Sequence, residues 1–67
     1  MKLRINGRSV EYSDSCRTVA DLVAMPDWAK RLLIVELNGE IVSKEAYQDT
    51  ALAEGDRIEL VHFVGGG

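Results

Sequence analysis

Residues 1–12 read MKLRINGRSVEY. Leu3 and Ile5 alternate with Lys2 and Arg4, the two-residue period of a half-buried strand. Asn6-Gly7 is the dipeptide best suited to a two-residue type I′ turn, whose central positions both need positive φ. Val10 and Tyr12 alternate on the far side of that turn. A two-residue turn pairs Ile5 with Arg8 and Leu3 with Val10, and paired residues share a face. Leu3, Ile5, Val10 and Tyr12 therefore line one side of a hairpin. Turn chemistry and hydrophobic pattern demand the same register.

Residues 13–28, SDSCRTVADLVAMPDW, must supply what covers that side. Thr18 with Asp21 resembles a capping box, although Glu or Gln is the usual acid or amide. Val19, Leu22 and Val23 recur at i, i+3, i+4 as an apolar helix stripe. Pro26 has no N–H and disfavours helical geometry at Met25, which predicts one helix over about residues 18 to 25. A helix that short needs a sheet to pack on.

Residues 31–43, RLLIVELNGEIVS, repeat the strand–turn–strand pattern. Leu33, Val35 and Leu37 alternate with Ile34 and Glu36, Asn38-Gly39 suits a tight turn, and Ile41-Val42 begins a return strand. Residues 44–57, KEAYQDTALAEGDR, read as irregular, with one helical turn around Tyr47 and a turn at Glu54-Gly55-Asp56. Residues 57–64, RIELVHFV, form the last strand. The order is hairpin, helix, hairpin, strand. It fits a two-layer α+β domain: a mixed four- to five-stranded sheet with one main helix. The right-handed crossover rule lets the first strand lie beside a later parallel one. This is the β-grasp, or ubiquitin-like, architecture. Residues 1–64 form the expected body and residues 65–67 a flexible glycine tail.

A chain of 67 residues is one small domain. It buries only about 60% of the surface its unfolded form exposes. Surrounding a substrate and also supplying several catalytic groups is hard at this size, so an autonomous enzyme is not expected. Hydrophobic residues at 46% argue against disorder. The net charge of −3, with scattered cations and Lys30-Arg31 as the one adjacent pair, argues against nucleic acid. A mildly acidic domain better suits a basic protein surface. The single cysteine, Cys16, excludes an internal disulfide and points to a reducing compartment. No apolar stretch approaches the roughly 20 residues of a membrane span, and MKLRING lacks the apolar segment of a signal peptide. The expected location is the cytoplasm, with no membrane partner.

Few residues offer chemistry. Cys16 precedes the helix, and a reactive thiol wants a histidine or a helix N-terminus beside it; a free cysteine serves more often as a small hydrophobe. His62, the lone histidine, cannot build a metal site without partners at suitable spacing, so no metal is expected. Glu36, Glu40, Glu45, Asp49, Glu54 and Asp56 suit turns and solvated strand faces. There is no Walker loop, Rossmann glycine pattern or nucleophile elbow. In the last strand Ile58 and Leu60 face the helix, which turns Val61 and Phe63 to the other side, where Ile34 joins them. An apolar cluster on a sheet face without a helix suggests a docking surface for a partner. Strand irregularity, or residues 43–56 folding back over the cluster, would remove it. Phe63 to Gly67 extend about 17 Å at 3.3–3.6 Å per residue. Glycine presents no side chain to a narrow channel and reaches any backbone conformation, although ordering it costs entropy.

The hairpins at residues 4–12 and 35–42, the approach EGDRIELVHFV (54–64) and the ending VHFVGGG (61–67) together resemble the ubiquitin-like, β-grasp sulfur carriers. Among these the chain is most similar to the ThiS-type carriers of thiamine biosynthesis. The ending is the specific part of the likeness. The resemblance implies that Gly67 is the adenylation and thiocarboxylate site, with Gly66 its obligatory neighbour. Gly65, an addition to the simplest diglycine pattern, adds freedom. It implies a ubiquitin-activating-like adenylyltransferase (ThiF-type) that uses ATP and forms the Gly67 adenylate. It also implies a cysteine desulfurase and sulfurtransferase relay, and a thiazole synthase (ThiG-type) that consumes the sulfur. The carrier itself then binds no cofactor and is no enzyme. Three other readings stand beside this one: the small subunit of molybdopterin synthase, a ubiquitin-like modifier that conjugates to lysines, and a non-covalent interaction module with an idle tail.

Overall fold

The computed structural model describes residues 1–62; Phe63, Val64 and the glycines 65–67 lie outside the described residues, and so does the expected boundary between body and tail. The first hairpin joins β1 (Lys2–Ile5) to β2 (Arg8–Glu11). Its register pairs Leu3 with Val10 and Ile5 with Arg8, as the two-residue turn requires. Asn6 and Gly7 have φ of 50° and 84°. Asn38 and Gly39, at 51° and 90°, make the same turn between β3 (Leu33–Leu37) and β4 (Glu40–Val42). Both turns thus occupy the left-handed region that asparagine and glycine tolerate.

Between the hairpins lies α1 (Val19–Val23). Thr18 caps it: the hydroxyl accepts from the Asp21 N–H at 3.2 Å, and the Asp21 carboxylate accepts from the N–H groups of Thr18 and Arg17. Aspartate therefore closes the capping box despite its shorter side chain. The Val19 N–H, another donor a helix start leaves open, bonds the Thr50 carbonyl at 3.0 Å. The helix stops at Val23, two residues before the expected end. Residues 24–31 continue as successive turns, because Pro26 offers no donor and Met25 bonds back only three residues, to Leu22. Residues Lys44–Asp49 form a 3₁₀ helix, a fuller structure than the single turn expected around Tyr47.

The last strand, β5 (Arg57–His62), decides the topology. It enters the middle of a sheet ordered β2-β1-β5-β3-β4, parallel to β1 and antiparallel to β3. One mixed five-stranded sheet results, and α1 lies over one face of it. The core gathers Leu3 and Ile5 from β1, Val35 from β3, Ile58 and Leu60 from β5, and Val19 and Leu22 from α1. Cys16 and Leu52 close it from the connections.

The cap on so short a helix has a measurable weight. Thr18→Ala is expected to cost about 1 kcal/mol in urea unfolding. The two backbone donors hold the Asp21 carboxyl below its ordinary pKa. A depressed folded pKa adds stability that is present above the unfolded value, about 3.9, and is lost as pH falls through the lower folded value. Asp21→Asn should flatten that acid limb in unfolding measured from neutral pH downward.

Candidate functional site

The alternation of β5 sorts its side chains onto two faces. Ile58 and Leu60 are buried under the helix layer, while Arg57, Glu59 and Val61 are exposed on the opposite face. β3 runs antiparallel beside it with Ile34 directly opposite Val61 and Glu36 directly opposite Glu59. Ile34 is half-buried by its strand neighbours, and Val61 is 49% exposed. The structure thus brings Ile34 and Val61 together on the helix-free face. Phe63, the third expected member of this patch, lies outside the described residues.

Ile41 was not among the residues expected there. It pairs with Glu36 across the second turn, shares its face, and is 72% exposed. The two-residue turn at Asn38-Gly39 already implied that pairing, so register counting alone finds it. Residues 43–56 do not cover the patch. Their path runs along the helix layer, where Thr50 bonds Val19, Leu52 bonds Arg17, and Tyr47 packs against the core.

Two carboxylates cross the middle of this face. Glu36 and Glu59 stand side by side on neighbouring strands, and among the described residues neither has a Lys, Arg or His group within 4.0 Å. Like charges directly opposite one another destabilise a sheet. Arg4 and Arg57, paired on neighbouring strands, are exposed on the same face.

The remaining candidates serve structure. Cys16 is 1% exposed within the core. Burial, then the nearby Asp21 charge, pushes its thiol pKa up, so the thiolate a nucleophile needs is disfavoured. His62 is exposed at the end of the described strand. Glu54 accepts from the Lys2 N–H and Asp56 from the Ala53 N–H, so both carboxylates cap loop backbone. Among the described residues no group of three or more His, Cys, Asp or Glu side chains gathers as a metal cluster. No helix there is long and apolar enough to cross a membrane.

Comparison with known proteins adds a family likeness along the whole chain. Residues 3–67 match the family model described as ThiS family. The chain is 43% identical over 65 residues to the sulfur carrier protein ThiS of Bacillus subtilis, covering 97% of this chain and 98% of that protein. It is also 43% identical over 67 residues to a stretch of thiazole synthase from Paramagnetospirillum magneticum; all of this chain matches, but only 20% of that longer protein. The crystal structure of a thiamine biosynthesis protein (ThiS) from Geobacter metallireducens superposes with a TM-score of 0.82 at 33% identity, over the full length of both chains.

A structural cysteine behaves differently from a reactive one. Cys16 should resist a thiol reagent in the native protein and react on unfolding in urea. Cys16→Ser, which buries a hydroxyl where a thiol stood, should cost about 1–3 kcal/mol in the same titration.

Proposed function

Since the chain belongs to the ThiS family, we propose that its working group is the carboxylate of Gly67, presented beside a docking face built on Ile34, Val61 and Phe63. The protein is a sulfur carrier of thiamine biosynthesis and not a catalyst. The observation that carries this reading is the match to the Bacillus carrier along 97% of the chain.

A carboxylate is a poor electrophile. In the proposed sequence, a Gly67 oxygen attacks the α-phosphorus of ATP on a ThiF-type adenylyltransferase, and pyrophosphate leaves. The acyl-adenylate is a good electrophile. A sulfurtransferase persulfide, loaded from cysteine through the desulfurase relay, attacks its carbonyl carbon through the outer sulfur and AMP departs, leaving an acyl disulfide that a thiol reductant cleaves to the thiocarboxylate and a new disulfide. One oxygen has been exchanged for one sulfur. The resulting thiocarboxylate is a soft nucleophile on a protein handle, and a ThiG-type thiazole synthase takes its sulfur for the thiazole ring. ATP belongs to the activating partner, and the carrier needs no cofactor of its own. The likeness to a segment within a thiazole synthase supports that enzyme as the recipient, since carrier-like and synthase sequences there share one chain. A reducing compartment, the cytoplasm, suits both the free Cys16 and a thiocarboxylate.

Recognition falls to the helix-free face. Ile34, Val61 and Ile41 supply apolar contact, and Glu36 with Glu59 supply negative charge. The same face also exposes Arg4 and Arg57, so the complementary surface is apolar, with Lys or Arg opposite the two glutamates and acidic groups opposite the arginines.

Sulfur loading is read directly by intact mass. Incubation with ATP, an activating enzyme and a sulfur source should replace one oxygen by one sulfur, localised by fragmentation to Gly67. One residue added after Gly67 should abolish the exchange while the folded spectrum is unchanged; full loading of the extended protein would refute the terminal site. For docking, Ile34→Ala should weaken binding to the activating enzyme more than it lowers stability. Glu59→Lys should raise stability by about 0.2–1 kcal/mol, through relief of the like-charge pair, and slow association with that enzyme. Tighter binding by Glu59→Lys would mean that the partner surface is not basic.

A further inference from the structure

β5 outruns its neighbour on one side. Its parallel pairing with β1 covers only Arg4 with Arg57 and Ile5 with Ile58, because β1 ends at Ile5. On its other side β3 accompanies it to His62. The backbone groups of Leu60 that point toward β1 therefore lack a strand partner, although Leu60 is 3% exposed. Buried peptide groups without partners are costly.

The side chain of Asn6 meets both of them. The Asn6 backbone N–H donates to the Ile58 carbonyl at 2.9 Å, where the parallel ladder ends. Its Oδ1 then accepts from the Leu60 N–H at 2.7 Å, and its Nδ2 donates to the Leu60 carbonyl at 3.2 Å. One amide side chain stands in for the next residue of a strand. The turn makes this possible, since Asn6 has φ of 50°. Aspartate would keep only the acceptor, and glycine would keep the turn with neither bond.

Asn38 performs the matching task at the other end of β5. Its Oδ1 accepts from the Arg57 N–H at 3.0 Å, and its backbone N–H donates to the Arg57 carbonyl at 2.8 Å. Each turn asparagine thus holds one end of the strand, but only the Asn6 end leads on toward Gly67.

We propose that Asn6 is a positioning residue for the chemistry at Gly67: by clamping Leu60 it fixes the last described residues of β5, the anchor from which the sequence runs on to Gly67. This rests on the reading that Gly67 is the reacting end. Five residues, 63 to 67, follow the last described residue of β5. Without that clamp Leu60 to His62 are held by β3 alone, and whenever this stretch opens the span from anchor to terminus grows to eight residues. Effective concentration falls with about the 3/2 power of that length, roughly twofold, and loss of a fixed direction lowers it further.

Asn6→Gly and Asn38→Gly test this as a pair, in the full chain. Both keep the left-handed turn and each removes one side-chain clamp. Three measurements are made on each: urea stability, amide exchange along β5, and ATP–pyrophosphate exchange with the activating enzyme. Asn6→Gly should raise exchange at Leu60 about tenfold. It should lower kcat for pyrophosphate exchange about twofold or more, and it should raise KM for the carrier as well, because Val61 of the docking face belongs to the loosened stretch. Asn38→Gly should lose similar stability, exchange faster at Arg57, and keep its kcat. Wild-type kcat in Asn6→Gly despite fast exchange at Leu60 would overturn the inference, and so would an equal loss of kcat in Asn38→Gly. A wild-type protein that forms no adenylate at Gly67 would remove the functional reading itself, and this inference with it, whatever the amides show.

Discussion

Ile5 and Ile58 lie side by side in the one parallel pairing of the sheet, β1 against β5, and both are buried in the core with Val19 and Leu22. The rest of the molecule depends on that contact. It joins the ends of the described chain across more than fifty residues, which is an expensive loop to close. Hydrophobic burial has to offset that cost, and at this size there is one core to do it. The ladder itself is only two residues long, so side chains finish what backbone pairing begins. The asparagines of two local turns extend the hydrogen bonding of β5 at its two ends.

The same strand divides labour between its faces. Ile58 and Leu60 hold it to the body, and Val61 with Glu59 looks outward. Residues buried in the core and residues exposed on the helix-free face therefore alternate along one six-residue strand. The Glu36–Glu59 pair sets like charges opposite one another on the outward face. Opposite charges at those two positions would strengthen the sheet. Retaining two carboxylates there makes physical sense where a cationic surface lies against them in a complex.

The described body carries little chemistry of its own. The described residues hold no cluster of three metal-ligating groups, and the one thiol is buried with its pKa raised. The buried side-chain polar atoms among them all have partners.

Much of this was legible in one dimension because it is local. Asn-Gly turns set two-residue registers, so the pairing of Leu3 with Val10 and of Glu36 with Ile41 follows from counting. The capping pair Thr18 and Asp21 marks the start of α1, and Pro26 marks where it cannot continue. The resemblance in the final residues pointed to the carrier family before any contact was known. The sequence alone also placed Ile34 and Val61 on the helix-free side, since a period of two admits only two faces. It did not specify which residues of β3 and β5 stand opposite each other, because no short turn connects those strands. Nor did it show that Asn6, chosen by its turn, also completes the hydrogen bonding of Leu60, 54 residues away. Turns and periods are decided by neighbours in the chain. Long-range register and the satisfaction of a buried strand end are decided only when the whole core closes.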